Sequence, residues 1–376
     1  MKQKTIVQVL DLVPDGHRSL DRFLIGLAES MNRQGWKTIF VFGGEPPETF
    51  CQRLKAIGVD YIVHLVDKQS FGVVSDLGKK LKAFAPDMIQ THFISKFDWR
   101  LFLLYIMSSA KRLVVTDHAS GHLYIKHGVQ KLIAQLRTRF SLLFIDRLIS
   151  VSKFVHRRAV EGAFFPEDRA ICILNGVDTS FFKPVPNVYP TDDGVLKLSY
   201  IGLIIEEKGL QNLLRAMTLL LDQKVPVRLS LVGEGDYVPE LKRLTRELRL
   251  DEHVDFVGNE LDTPRMYSQS DVVVVPSEWG EAFGFVAVEA AACRTCVAVS
   301  DAGALAGVMA ADTSAPAALV FKRGDPVSIA ATLKTLADQP ELREKLRQRG
   351  YELVQQQYLL ESTIEEYTKV LCSLPV

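Results

Sequence analysis

The sequence predicts an α/β protein made of two doubly wound, Rossmann-like domains facing one cleft, and three observations lead there. Short β-branched runs alternate with longer amphipathic stretches, the pattern of parallel sheets covered by helices on both faces. The alternation breaks at FFKPVPNVYPTDDG (181–194), which has three prolines and no periodicity, and then restarts. At 376 residues the chain is also longer than one ordinary core requires. The expected domains are residues 1–184 and 185–359, with a C-terminal helix at about 360–376 packing back on the first.

In the first half, TIVQVL, KTIFVFG, YIVHL, DMIQTHF, RLVVTDH and RLISVS read as strands. In the second, KLSYIGL, VRLSLVG, VDFVG, DVVVVPS, TCVAVS and AALVF do so. The tail from Glu341 onward is strongly helical, and no sequence repeat relates the halves. In such sheets ligands bind beyond the C-terminal ends of the strands.

Composition narrows the class. Apolar residues make up 47% and charged residues 24%, as in globular proteins. No apolar run is long enough to span a bilayer, and the N-terminal apolar run reads as a first strand rather than a leader. Five cysteines without framework spacing suggest a reduced, cytoplasmic setting. The net charge of zero hides an asymmetry. Residues 1–184 hold 26 Lys/Arg against 17 Asp/Glu, and the remainder 19 against 28. A basic first half hints at an anionic partner; nucleic acid is not expected.

Candidate site residues lie at strand ends. In DVVVVPSEWGEAFGFVAVEAAAC a buried strand ends at Pro276 and a loop carries Glu281. A helix starting near Gly284 then carries Glu289. The helix start is a ready anion site, and Gly284 lets a phosphate or sugar approach. Eight helical residues cover roughly 12 Å, so the two acids can serve two hydroxyl-bearing parts of one extended ligand rather than a shared proton or small metal. The bland alternative is a helix cap at Glu281 and a surface ion pair at Glu289. In LSYIGLIIEEKGLQNLL a strand ends at Gly202, and Lys208 opens the next helix, where a point charge suits a diphosphate. An ordinary exposed lysine is its plain alternative. Gly233 and Gly235 form only a bare G-x-G. Gly16 follows the first strand, while His92 and His118 end two others and are candidate ligand or catalytic groups. Cys293 and Cys296 lack a second pair, which speaks against metal or redox use.

Together these motifs resemble glycosyltransferase family 4, retaining enzymes with the two-domain GT-B fold. PSEWGEAFGFVAVEA is similar to its E-x7-E signature, YIGLIIEEKG to its strand–loop–KG element, and ISVSKFVHRRAVEGAFFPEDRAICILNGVDTSFFKP to the segment closing the first domain. The likeness covers nearly the whole chain. It implies a sugar transferred from a nucleoside diphosphate to an acceptor, lipid-linked or a growing polysaccharide, without a metal cofactor. It further implies Glu289 on the ribose, Lys208 on the diphosphate beside Gly202, and Glu281 with Phe283, Gly284 and Phe285 at the donor sugar. His118 would lie at the reacting carbon, with Gly16, His17 and His92 on the acceptor or phosphate side. Leu203 stands where the family usually has Arg, a loss worth roughly 1.5–3 kcal/mol. Arg294, in the altered turn after the signature, is the expected substitute. The first loop has one glycine where two are common. A sugar-nucleotide epimerase or hydrolase on the same fold and a catalytically weak scaffold are the alternatives; a dehydrogenase ranks lower, because no G-x-G-x-x-G follows the first strand.

Residues 124–144 carry one more signal. Ile125, Val129, Leu132, Ile133, Leu136, Phe140, Leu143 and Phe144 fall in a helical stripe roughly 120° wide. Lys126, Arg137 and Arg139 border it, with Lys131 further round. Such a stripe either packs on the first domain's sheet or lies on the inner face of an anionic membrane.

Overall fold

The structure is a computed structural model that describes residues 3–15, 18–64, 70–121, 127–190, 193–309 and 314–376. Gly16, His17, Ile125 and Lys126 lie outside the described residues. The chain forms two compact units. One comprises residues 1–119, 123–176 and 360–376, the other 120–122 and 177–359.

The first unit alternates β1 (Lys4–Leu10), α1 (Ser19–Arg33), β2 (Trp36–Phe42), α2 (Glu48–Ala56), β3 (Asp60–Val63), α3 (Phe71–Lys82) and β4 (Met88–His92). It continues with α4 (Trp99–Ser108), β5 (Arg112–Asp117), α5 (Gly128–Ser141), β6 (Arg147–Ser150), α6 (Lys153–Arg157) and β7 (Ala170–Cys172). All pairings are parallel, in the order β3-β2-β1-β4-β5-β6-β7. The sheet is buried on both faces, so its strands are largely apolar, with Gln8 of β1 and Gln90, Thr91 and His92 of β4 as buried polar exceptions. One face packs Phe23, Leu27 and Met31 of α1 with Phe50, the other Leu77, Leu81 and Leu101. Strand β7 was not anticipated: with three residues it is too short for any periodicity.

The second unit runs β8 (Leu196–Ile201), α7 (Leu210–Asp222), β9 (Val227–Val232), α8 (Val238–Glu247), β10 (Val254–Gly258), α9 (Thr263–Ser268) and β11 (Val272–Val275). Then come α10 (Phe285–Ala292), β12 (Cys296–Ser300), α11 (Leu305–Met309), β13 (Leu319–Phe321), α12 (Pro326–Asp338) and α13 (Pro340–Gln357). Its sheet is β10-β9-β8-β11-β12-β13, with every pair parallel. In both sheets the order reverses beside the first strand, between β1 and β4 and between β8 and β11. That reversal opens a crevice at the C-terminal strand ends where ligands bind.

The chain enters the second unit at Val177, whose amide donates to Tyr358 O at 2.8 Å. It therefore crosses before the prolines, where the sequence suggested 184. After Leu359 it returns: α14 (Leu360–Ser373) buries Tyr367 and Leu371 among the α1 side chains, and Thr363 Oγ1 donates to Leu174 O at 2.9 Å. No described helix is long and apolar enough to cross a membrane.

Candidate active site

The loops after β8 and β11 flank the second unit's crevice. The first carries the expected donor-binding residues Gly202 and Lys208, the second Glu281, Phe283 and Gly284. Glu278 N and Trp279 N donate to Glu207 O at 2.9 and 3.3 Å, tying the loops together. Gly209 makes this approach possible: a Cβ there would lie 2.1 Å from Pro276 O, at a φ of +73°. The docked loops bring Lys208 Nζ to 2.5 Å from Glu281 Oε1. Ser277 Oγ donates to the same oxygen at 2.7 Å, and Ser277 O in turn accepts from Ser300 Oγ at 2.7 Å. Lys208 and Glu281 keep 27% and 16% of their side-chain surface exposed, so the pair is reachable from solvent. Neither plain alternative for these residues describes the site: Lys208 is paired, and Glu281 does not cap the helix.

Helix α10 starts after Gly284, whose φ of 96° turns the chain into it without a side-chain cap. Its first amides therefore lack the partners that interior turns supply, and their dipole end is positive. Phe283 is buried, edge-on to Phe285 with centroids 5.1 Å apart. Glu289, one turn inside, is 9% exposed and accepts from Tyr267 Oη at 2.8 Å. That rules out the surface ion pair. Burial first, then the Glu289 charge, pushes the Tyr267 phenol well above 10, so it remains a donor. Tyr267 and Ser277 escaped the sequence reading because neither has a distinguishing spacing.

Gly202 follows β8; Gly233 packs against its carbonyl and Gly235 against that of Ile204, backbone-to-backbone contacts that account for the G-x-G without a phosphate. Leu203 is 56% exposed. The expectation for Arg294 is corrected: it sits past the C-terminal end of α10, over the Tyr351 ring at 5.4 Å and bonded to Gln348. It is thus at the opposite end of the helix from Gly284. Cys293 and Cys296 are buried free thiols. Burial raises both, Cys296 to about 12, so neither is a reactive thiolate.

In the first unit β4 and β5 are neighbours in register, His92 opposite Thr116. This places His92 Nδ1 3.1 Å from His118 Nε2. The Phe93 ring stacks on His118 at 4.4 Å. His92 is wholly buried and lies against His118, which is itself 7% exposed. Burial, against the pull of Asp117, lowers His118 from 6.5 to about 4, so its imidazole is neutral near pH 7. Asp117 is bound by Lys96 at 2.7 Å and Arg158 at 3.4 Å. Burial alone would raise its carboxyl, but these cations hold it below 3.8.

Two parallel α/β sheets of this order, one with paired charges at its switch point, define a class: the GT-B glycosyltransferase fold. The glycosyltransferase from Rickettsia africae superposes with a TM-score of 0.79 at 18% identity, covering 100% of each chain. Anabaena HepE in complex with UDP and glucose gives 0.77 at 19%, covering 98% of this chain and 99% of that one. Two family models match end to end, "Glycosyltransferase Family 4" over residues 20–181 and "Glycosyl transferases group 1" over 184–353. The chain belongs to glycosyltransferase family 4. It is 32% identical over 228 residues to D-inositol 3-phosphate glycosyltransferase of Thermomonospora curvata, covering 54% of this chain and 51% of that relative. It is 26% identical over 242 residues to a GDP-mannose-dependent alpha-(1-6)-phosphatidylinositol dimannoside mannosyltransferase of Mycobacterium tuberculosis, covering 63% of this chain and 60% of that one. The matched stretches thus span about half to three fifths of these relatives.

Proposed function

We propose that this protein is a retaining glycosyltransferase that moves a sugar from a nucleoside-diphosphate sugar to a carbohydrate or lipid-linked acceptor. The observation that carries the reading is the Lys208–Glu281 pair at the β8/β11 crevice, beside the uncapped start of α10. In this reading Lys208 and the α10 amides take the diphosphate, stabilising the charge that develops as it leaves. Glu281, released from Lys208, accepts from donor-sugar hydroxyls around the Phe283-Gly284-Phe285 turn. Glu289, oriented by Tyr267, holds the ribose. By family resemblance His118, neutral near pH 7, is assigned to the reacting carbon, and His92, 3.1 Å from it, fixes its tautomer. Gly16 and His17 are assigned to the acceptor or phosphate side by family resemblance alone. No divalent metal takes part, because Lys208 and helix amides supply the positive field.

Leu203 and the displaced Arg294 favour one alternative, a scaffold that holds the diphosphate weakly. A sugar-nucleotide epimerase or hydrolase would turn over without an acceptor. Thermal shift against a panel of nucleotide sugars separates the enzyme readings from the scaffold, and turnover with and without an acceptor separates transfer from epimerisation or hydrolysis. Stabilisation by one nucleotide sugar above its free sugar, with turnover that requires an acceptor, supports transfer; no stabilisation by any nucleotide, with the fold intact, supports the scaffold.

A further inference from the structure

Helix α5 is mounted inside out relative to an ordinary sheet-covering helix. Its buried residues are the small Ala134, Thr138 and Ser141. Thr138 Oγ1 donates to Ala163 O, and Ser141 Oγ lies 3.0 Å from Lys96 O. The long apolar side chains point the other way: Val129 is 73% exposed, Leu132 56%, Ile133 45%, Leu136 54% and Phe140 52%. At about 100° per residue these five fill a stripe roughly 100° wide, nearly opposite the buried face. For these five and for Leu143, 73% exposed, the alternative that the stripe covers the sheet is removed; among the described residues of the stripe only Phe144, at its end, packs against the sheet-side core.

The surface extends beyond one helix. Phe140 packs edge-on against Phe102 of α4 with centroids 5.1 Å apart. One turn along α4 from Phe102, Ile106 is 57% exposed. Apolar side chains rarely cluster so openly on a monomer's surface unless something covers them.

We propose that this face of the first unit docks on the surface of an anionic bilayer, with α5 lying in the headgroup plane. Charge identifies the occupant. On the helix wheel Arg139 borders the stripe on one side and Arg137 on the other, both exposed, and α5 contains no acid. Apolar residues between flanking cations match a layer whose phosphates sit above its acyl chains. A second copy of the chain fits poorly. A two-fold interface sets the same patch against itself, bringing the arginines of both copies together. Lys131 contributes less than the sequence implied, since its ammonium sits over the Phe164 ring at 5.7 Å. The inference stands on the first unit alone and does not depend on the donor chemistry. Combined with that chemistry, it selects a membrane-resident acceptor.

The test is co-sedimentation of the full chain with vesicles of phosphatidylcholine alone or mixed with phosphatidylglycerol. Binding is expected to rise with phosphatidylglycerol and fall with salt. A cation near an anionic surface is worth about a fivefold change in partitioning, so Arg137→Gln with Arg139→Gln should weaken binding about twenty-fivefold. Leu132→Ser with Leu136→Ser should abolish it, and since these positions are exposed, thermal unfolding should be unchanged in both variants. No binding to anionic vesicles at low salt, or binding indifferent to salt and to both double variants, overturns the proposal. So does a concentration-dependent dimer that Leu132→Ser with Leu136→Ser dissolves.

Discussion

Replacing Tyr267 by Phe removes one hydroxyl from a fully buried position and deprives Glu289 of a donor at 2.8 Å. A hydrogen bond to a charged group contributes about 1.5–3 kcal/mol. Glu289 is only 9% exposed, so little water can replace it. At about 2–4 °C per kcal/mol for a unit of this length, the second unit should melt about 3–12 °C lower. If Tyr267 also orients the carboxylate toward a ribose, nucleoside diphosphate affinity should fall about tenfold, equivalent to about 1.4 kcal/mol. Differential scanning calorimetry and titration calorimetry with a diphosphate panel read the two effects separately. A lower melting temperature with unchanged nucleotide affinity would refute the orienting role, leaving Tyr267 as a purely structural partner.

Glu289→Ala should weaken binding of free nucleotide and sugar nucleotide alike, whereas Glu281→Ala should spare free nucleotide and reduce turnover; equal losses of free-nucleotide affinity in calorimetry contradict that division. Activity should survive a chelator, and loss restored by magnesium or manganese would sink the metal-free account. His118 stays neutral in the fold down to about pH 4, while its unfolded value is 6.5. The unfolded chain therefore binds more protons between these values, and the stability from neutral His118 is present above about 6.5 and lost as pH falls toward 4. The loss is on the order of 3 kcal/mol, and His118→Asn should reduce the dependence in urea titrations across that window, leaving the part due to His92, which burial also holds well below 6.5.

The alternation of elements was legible because buried parallel strands are continuous apolar runs, and DVVVVPS and RLVVTDH could hardly be anything else. Lys208 and His118 were singled out because each lies just beyond a strand, and Glu281 and Glu289 because they flank the start of a helix that follows a buried strand. Contacts between distant segments were not legible. Nothing local marks Tyr267 as the partner of Glu289, twenty-two positions away in sequence. Spacing could not reveal that His92 lies beneath His118, since β4 and β5 become neighbours only in the sheet. Arg294 misled because proximity in sequence to the signature is not proximity to its helix start. The stripe of α5 was visible, but its direction was not: a period of 3.6 identifies a face without saying whether sheet or surroundings receive it. The three small residues at the opposite face, Ala134, Thr138 and Ser141, decide that question.

The central claim is sugar transfer with retained configuration, and the most direct measurement is the anomeric configuration of the product. Once a donor is found by thermal shift, the full chain is incubated with it and with candidate acceptors, in solution and in anionic vesicles. The new linkage is then read by NMR. The account predicts nucleoside diphosphate release that depends on acceptor, and a product whose anomeric configuration matches the donor's. An inverted linkage, or release at the same rate with no acceptor present, would contradict it.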